Sequence, residues 1–172
     1  MKKLNEKEAI LRLDKIKTIY RQNISENYEH KAKDCLTCET KGACCLDAHF
    51  VNVHITRLEA VAMKKVLAEL DELKKSEINQ RISETIEKYS LKDSSDTFSQ
   101  TYACPLFEKG IGCLVHSVKP VPCIQHACYE FQADLPPDKL QEEAEQKIER
   151  LNEQTYGDSK WLPLPIWMKK LS

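Results

Sequence analysis

The chain has 172 residues, of which 41% are apolar and 31% charged, and a formal net charge of -1; this is enough for one soluble domain with an adequate core. Near-neutral charge leaves no global basic field to hold a phosphate backbone, so nucleic acid is not expected as a partner. Charges interrupt the start MKKLNEKEAILRLDK before it can form a signal-peptide core, and no run approaches a membrane span, so the expectation is a cytoplasmic protein without a membrane partner.

Residues 4–30 carry Leu4, Ile10, Leu13, Ile16, Ile19 and Ile24 with no Gly or Pro, the three-and-four spacing of an amphipathic helix. The first twenty-one residues hold seven Lys or Arg against three Asp or Glu. A solvated helix face and an anion-binding arm are both consistent with that excess. Further on, Phe50 to Ile55 alternates Val51, Val53 and Ile55 with Asn52 and His54 and reads as a short strand, with His54 on its solvent side.

Thr56 and Glu59 form a T-x-x-E capping box. It opens a helix expected over 57–73 with Leu58, Val61, Val66, Leu67 and Leu70 as its buried stripe. Ser76 is placed to cap a further helix through Ile78, Ile82, Ile86 and Tyr89, and 92–100, rich in Ser, Thr and Asp, reads as loop. Pro136 and Pro137 precede a charged helix with Leu140, Ala144, Ile148 and Leu151 on one face, Pro being suited to a first helical turn. The tail WLPLPIWMKKL, with two prolines and two tryptophans, is expected to strap across the body as an extended segment or to bind a protein partner.

The expected fold is mainly α: a single small helical domain over 1–172, with irregular cysteine-bearing loops and at most a short strand or hairpin. A core over 35–128 is flanked by the N-terminal helix and by a C-terminal helix plus tail over 137–172.

Chemistry is concentrated in eight cysteines. Cys35, Cys38, Cys44 and Cys45 read C-x2-C-x5-C-C, and Cys104, Cys113, Cys123 and Cys128 read C-x8-C-x9-C-x4-C, with 58 residues between the two groups. Distant thiolates converge only if something rewards it, and the choices are a metal ion, an iron–sulfur cluster or disulfides. In a reducing compartment a dense cysteine pattern points to metal rather than disulfide. The C-x-x-C pair lets two sulfurs face one ion or one cluster edge. Adjacent side chains diverge, so Cys44 and Cys45 are expected to divide their roles.

Three of the four glycines, Gly42, Gly110 and Gly112, lie inside the cysteine segments, where left-handed backbone brings amides toward bound sulfur. Pro105, Pro120 and Pro122 stiffen the second segment. His49, His54, His116 and His126 are near enough in sequence to be ligands, and His126, between two cysteines, is the best of them. Lys41, Lys109 and Lys119 flank the thiolates, where a cation would lower a thiol pKa. Tyr20, Tyr28, Tyr102 and Phe107 are simplest as core residues.

The order C-x2-C-x5-C-C, then VNVHITRLEAVAM, then C-P-L with a later G-C-x-V and K-P-x-x-C resembles the YkgJ-like cysteine-cluster family, described as a zinc- or iron-chelating domain. The resemblance covers Cys35 to about Cys128. It implies metal binding through Cys35, Cys38, Cys44, Cys45, Cys104, Cys113 and Cys123, with Cys128 an eighth, auxiliary candidate. With eight thiolates available, the favoured cofactor is an iron–sulfur cluster of the 4Fe–4S type in a redox or electron-transfer role, and the alternative is zinc in a structural module that binds a protein partner. One related class, the flagellin lysine methylases, joins a similar cysteine pattern to methyl transfer, so a cluster-dependent methyltransferase-like enzyme is a second alternative. The chain has no glycine-rich dinucleotide or phosphate loop that would support it.

Overall fold

The computed structural model describes residues 3–33, 39, 42–46, 51–94 and 97–172. In chain order these form α1 (Glu6–Asn27), β1 (Ala32–Lys33), α2 (Ala43–Leu46), β2 (His54–Ile55), α3 (Arg57–Leu67), α4 (Glu72–Lys88), β3 (Phe107–Glu108), β4 (Gly112–Cys113), α5 (Val121–Gln125), β5 (Cys128–Tyr129), α6 (Asp138–Tyr156), β6 (Leu162–Pro163) and α7 (Leu164–Lys170). The class is mainly α with strands of two residues each, as expected. By contact the chain groups into two compact units, Met1–Lys41 with Lys119–Ser159, and Gly42–Val118 with Lys160–Ser172.

The first unit is built on α1 and α6. The Asn5 side chain accepts the Glu8 amide at 2.9 Å to cap α1, with Glu6 and Glu8 in its first turn, where the helix dipole favours acidic groups. Ala9, Leu13, Tyr20 and Ile24 are buried at helical spacing. Ile19, expected on that face, is 59% exposed. The stripe that packs is rotated from the run of isoleucines because Tyr20 and the buried Lys17 occupy the inner face; a long lysine stem can cover apolar surface in such a place.

On α6, Ala144, Ile148 and Leu151 are buried as expected, and the helix stops at Gly157, which takes the left-handed conformation at φ 82°. The Leu4 amide donates to the Gln154 carbonyl at 3.0 Å and the Tyr156 hydroxyl to Glu6 at 2.8 Å, so the start of α1 lies beside the end of α6 and the two helices run antiparallel. Val121 and Ile124 of α5 complete this core. β1 and β5 pair antiparallel, Ala32 opposite Tyr129 and Lys33 opposite Cys128.

The second unit buries Ile55, Met63, Ile78, Ile82, Tyr102 and Met168 in one cluster. The Thr56–Glu59 capping box is present, with Glu59 only 1% exposed. The helix expected over 57–73 is shorter and the next begins earlier than expected. α3 ends at Leu67 and α4 starts from Asp71, whose carboxylate accepts the Lys74 amide at 2.9 Å. Asp71 thus supplies the cap expected of Ser76, and Ser76 lies inside α4. The expected stripe is also corrected: Ala60, Ala62 and Met63 are buried with Leu58 and Leu67, whereas Val61 and Val66 are half-buried.

The tail corrects the strap expectation as well. β6 pairs antiparallel with β2, Leu162 opposite Ile55, and α7 follows at once, with Pro165 in the first turn where its missing N–H costs nothing. Ile166, Trp167 and Met168 are buried, so this apolar run closes a core and is not an open strip. The Tyr102 hydroxyl donates to the Val53 carbonyl and accepts the Leu164 amide at 3.2 Å, tying the loop before the hairpin to both segments. Of the expected strand 50–55, His54 and Ile55 form a ladder; Phe50 lies outside the described residues.

Candidate cysteine centre

In the second unit, Gly42 sits at φ 79° and its carbonyl accepts the amides of Cys45 at 2.9 Å and Leu46 at 3.2 Å. The vicinal pair is therefore carried on the short helical turn α2 and not on an irregular loop. A Cβ at Gly42 would lie within 2.5 Å of three atoms of the Phe107 ring, so only glycine lets α2 approach this closely.

Cys104 begins the hairpin of β3 and β4. Its amide donates to the Cys45 carbonyl at 2.7 Å and its own carbonyl accepts the Phe107 amide at 3.3 Å. Phe107 lies opposite Cys113 and Glu108 opposite Gly112, with Gly110 at φ 88° and Gly112 at φ 107° turning the chain between them. Cys104 and Cys113 thus stand at the same end of one hairpin, and Cys45 is tied to that end through the backbone.

Burial pushes the Cys104 thiol up to about 11, offset in part by amide hydrogen bonds from Leu106 and Phe107; a Cys113 charge raises it further and the Arg81 guanidinium lowers it. Amide donors aimed at a sulfur are the supports a ligating thiolate requires.

The hairpin is braced from α4. Lys74 pairs with Glu108 at 2.6 Å, Arg81 with the same carboxylate at 3.5 Å, and Arg81 Nη1 also donates to the Phe107 carbonyl at 3.4 Å. Neither Arg81 nor Glu108 stood out in the sequence. The available signal is that Lys74 and Arg81 are seven apart, on either side of Ile78, which places them beside the buried face of α4.

The other predicted positions are distributed as follows. Cys44, Cys45, Cys104 and Cys113 belong to the second unit, while Cys123, on α5, and Cys128, in β5, belong to the first. The second sequence cluster is therefore divided between units. Cys128 is exposed and Cys123 half-buried. Cys35, Cys38, Lys41 and His49 lie outside the described residues.

His54, expected at the surface, is 5% exposed, stacks on Phe98 with ring centroids 4.4 Å apart and meets Thr97 Oγ1 at 3.1 Å. Its side chain turns inward because β2 is covered by β6 and by the 97–98 loop. His116, His126 and Lys109 are exposed and Lys119 half-buried. Tyr20 and Tyr102 are buried, as expected, whereas Tyr28 and Phe107 are only half-buried.

Among the described residues no group of three or more His, Cys, Asp or Glu stands ready to hold a metal, and no helix is long and apolar enough to cross a membrane. No family model, curated protein or solved structure matches the chain.

Proposed function

We propose that this chain is a cytoplasmic metal-binding protein related to the YkgJ-like cysteine-cluster proteins, holding an iron–sulfur cluster of the 4Fe–4S type in a redox or electron-transfer role. One observation carries the reading: the Cys45 carbonyl receives the Cys104 amide at 2.7 Å, so thiols 59 positions apart in sequence are tied to one hairpin end with Cys113. The chemistry of the donors fits, because Cys104 accepts backbone amide hydrogen bonds and has a second thiol beside it. Cys104 and Cys113 would be ligands, and Cys44 or Cys45 would join them. Cys35, Cys38, Cys123 and Cys128 remain for further ligation. Cys128 is in register with Lys33, two residues ahead of Cys35. When bound, a cluster would supply one-electron exchange; the chain's own part is to hold the sulfurs, shield them and set their hydrogen bonds.

Anaerobic purification followed by iron, zinc and acid-labile sulfide analysis tests this. The expected result is brown protein with about four iron and four sulfide per chain, lost in Cys104→Ser and in Cys113→Ser. Colourless protein with stoichiometric zinc would replace the cluster by a structural zinc site. Protein that takes up neither metal after reconstitution would overturn the reading.

A further inference from the structure

A trough of about 600 Å³ runs between α1 and α6 in the first unit, and no described cysteine lines it. Its floor is apolar: Ile16 and Ile19 from α1, and Leu140, Ala144 and Leu151 from α6. Ile19, at 59% exposure, lies open to solvent. The rim is cationic. Arg12 and Lys15 line one side and Lys147 and Arg150 the other, all four exposed. Arg12 pairs with Glu8 and the one acidic lining residue, Glu143, pairs with Lys139 at 4.0 Å. No described carboxylate pairs with Lys15, Lys147 or Arg150.

We propose that the trough docks an amphipathic α-helix of a partner protein, with an apolar stripe flanked on both sides by Asp and Glu. Three features select this occupant. The lining spans Arg12 to Asn23 on α1 and Leu140 to Gln154 on α6, about 17 and 21 Å at 1.5 Å per residue, or three to four helical turns. The trough is open along its length, as its exposed rim shows, and a small ligand would stay mostly in water where a helix laid on its side would cover the floor. Cations stand on both rims, which complements acidic flanks and repels a second copy meeting the same face.

A fluorescein-labelled helical peptide of about 14 residues, with leucines at helical spacing and glutamates beside them, is titrated against the full chain by fluorescence anisotropy. It should bind at least tenfold tighter than the same peptide with glutamine for glutamate, and weaken as salt is raised. Lys147→Glu with Arg150→Glu, and separately Ile19→Asn, should each weaken it at least tenfold. Circular dichroism checks the fold, and Arg12→Gln with Lys15→Gln repeats the test from the other rim if the first pair disturbs α6. Equal affinity for the two peptides, or variants that bind like the parent, would overturn the proposal. So would phosphatidylserine vesicles that bind the chain through these same cations when the peptide does not, or a dimer by sedimentation that the charge reversals dissociate.

Discussion

Gly42→Ala tests the most demanding contact of the cysteine centre. The glycine stands at φ 79° and an added methyl would lie within 2.5 Å of three atoms of the Phe107 ring. Left-handed backbone costs a residue with a Cβ about 1–2 kcal/mol, and forcing a methyl into filled space costs about 1–3 kcal/mol more, so the total is roughly 2–5 kcal/mol. With a urea m-value of about 2 kcal/mol/M, the unfolding midpoint should drop by about 1–2.5 M. The two components separate in a cycle. In a Phe107→Ala background the ring is gone, so Gly42→Ala should cost only the backbone component, leaving a coupling of about 1–3 kcal/mol. A parent-like midpoint for Gly42→Ala would refute the close approach. An unchanged penalty in the Phe107→Ala background would refute the steric reasoning and leave backbone conformation alone.

Thr56→Ala removes the hydroxyl of the capping box and one partner of the buried Glu59 carboxylate, so it should cost about 1–2 kcal/mol by urea unfolding while Thr56→Ser costs far less. Leu106, fully buried just after Cys104, should lose about 2–5 kcal/mol on Leu106→Ala and lower the metal content together with the midpoint. Tyr102→Phe removes the hydroxyl that links the Val53 carbonyl to the Leu164 amide, with an expected loss of about 1–2 kcal/mol.

In metal-free reduced protein, the folded Cys104 thiol is held up at about 11 against an ordinary 9.0. The native state then keeps a proton the unfolded chain has released. Stability is therefore complete below pH 9 and falls by roughly 2 kcal/mol as pH rises toward 11. A Cys104→Ala variant should lose that slope in urea midpoints measured across the window, and a slope that persists unchanged would assign it to another group.

Helical periodicity, the Thr56–Glu59 box and the Pro136–Pro137 entry to α6 were legible because they are local: each is written within one or two turns of chain. The mainly helical class follows from the same signals. The position of the break between α3 and α4 was harder to see, since Asp71 and Ser76 are both good caps and only packing chooses between them. Likewise WLPLPIWMKKL by itself reads as a strap or a partner-binding strip, and the short strand and helix it forms depend on the ladder partner that β2 offers.

The sequence alone determined that eight thiols exist in two groups and that glycine and proline shape the segments bearing them. Which thiols share a unit was decided by the tertiary structure: Cys45 meets Cys104 through a backbone hydrogen bond, whereas Cys123 and Cys128 go with α1 and α6. Spacing along a chain constrains neighbours over a few residues, but a contact across 59 positions depends on where the intervening helices bury their apolar faces. The same holds for His54, whose alternation in sequence pointed outward until β6 and Phe98 covered it.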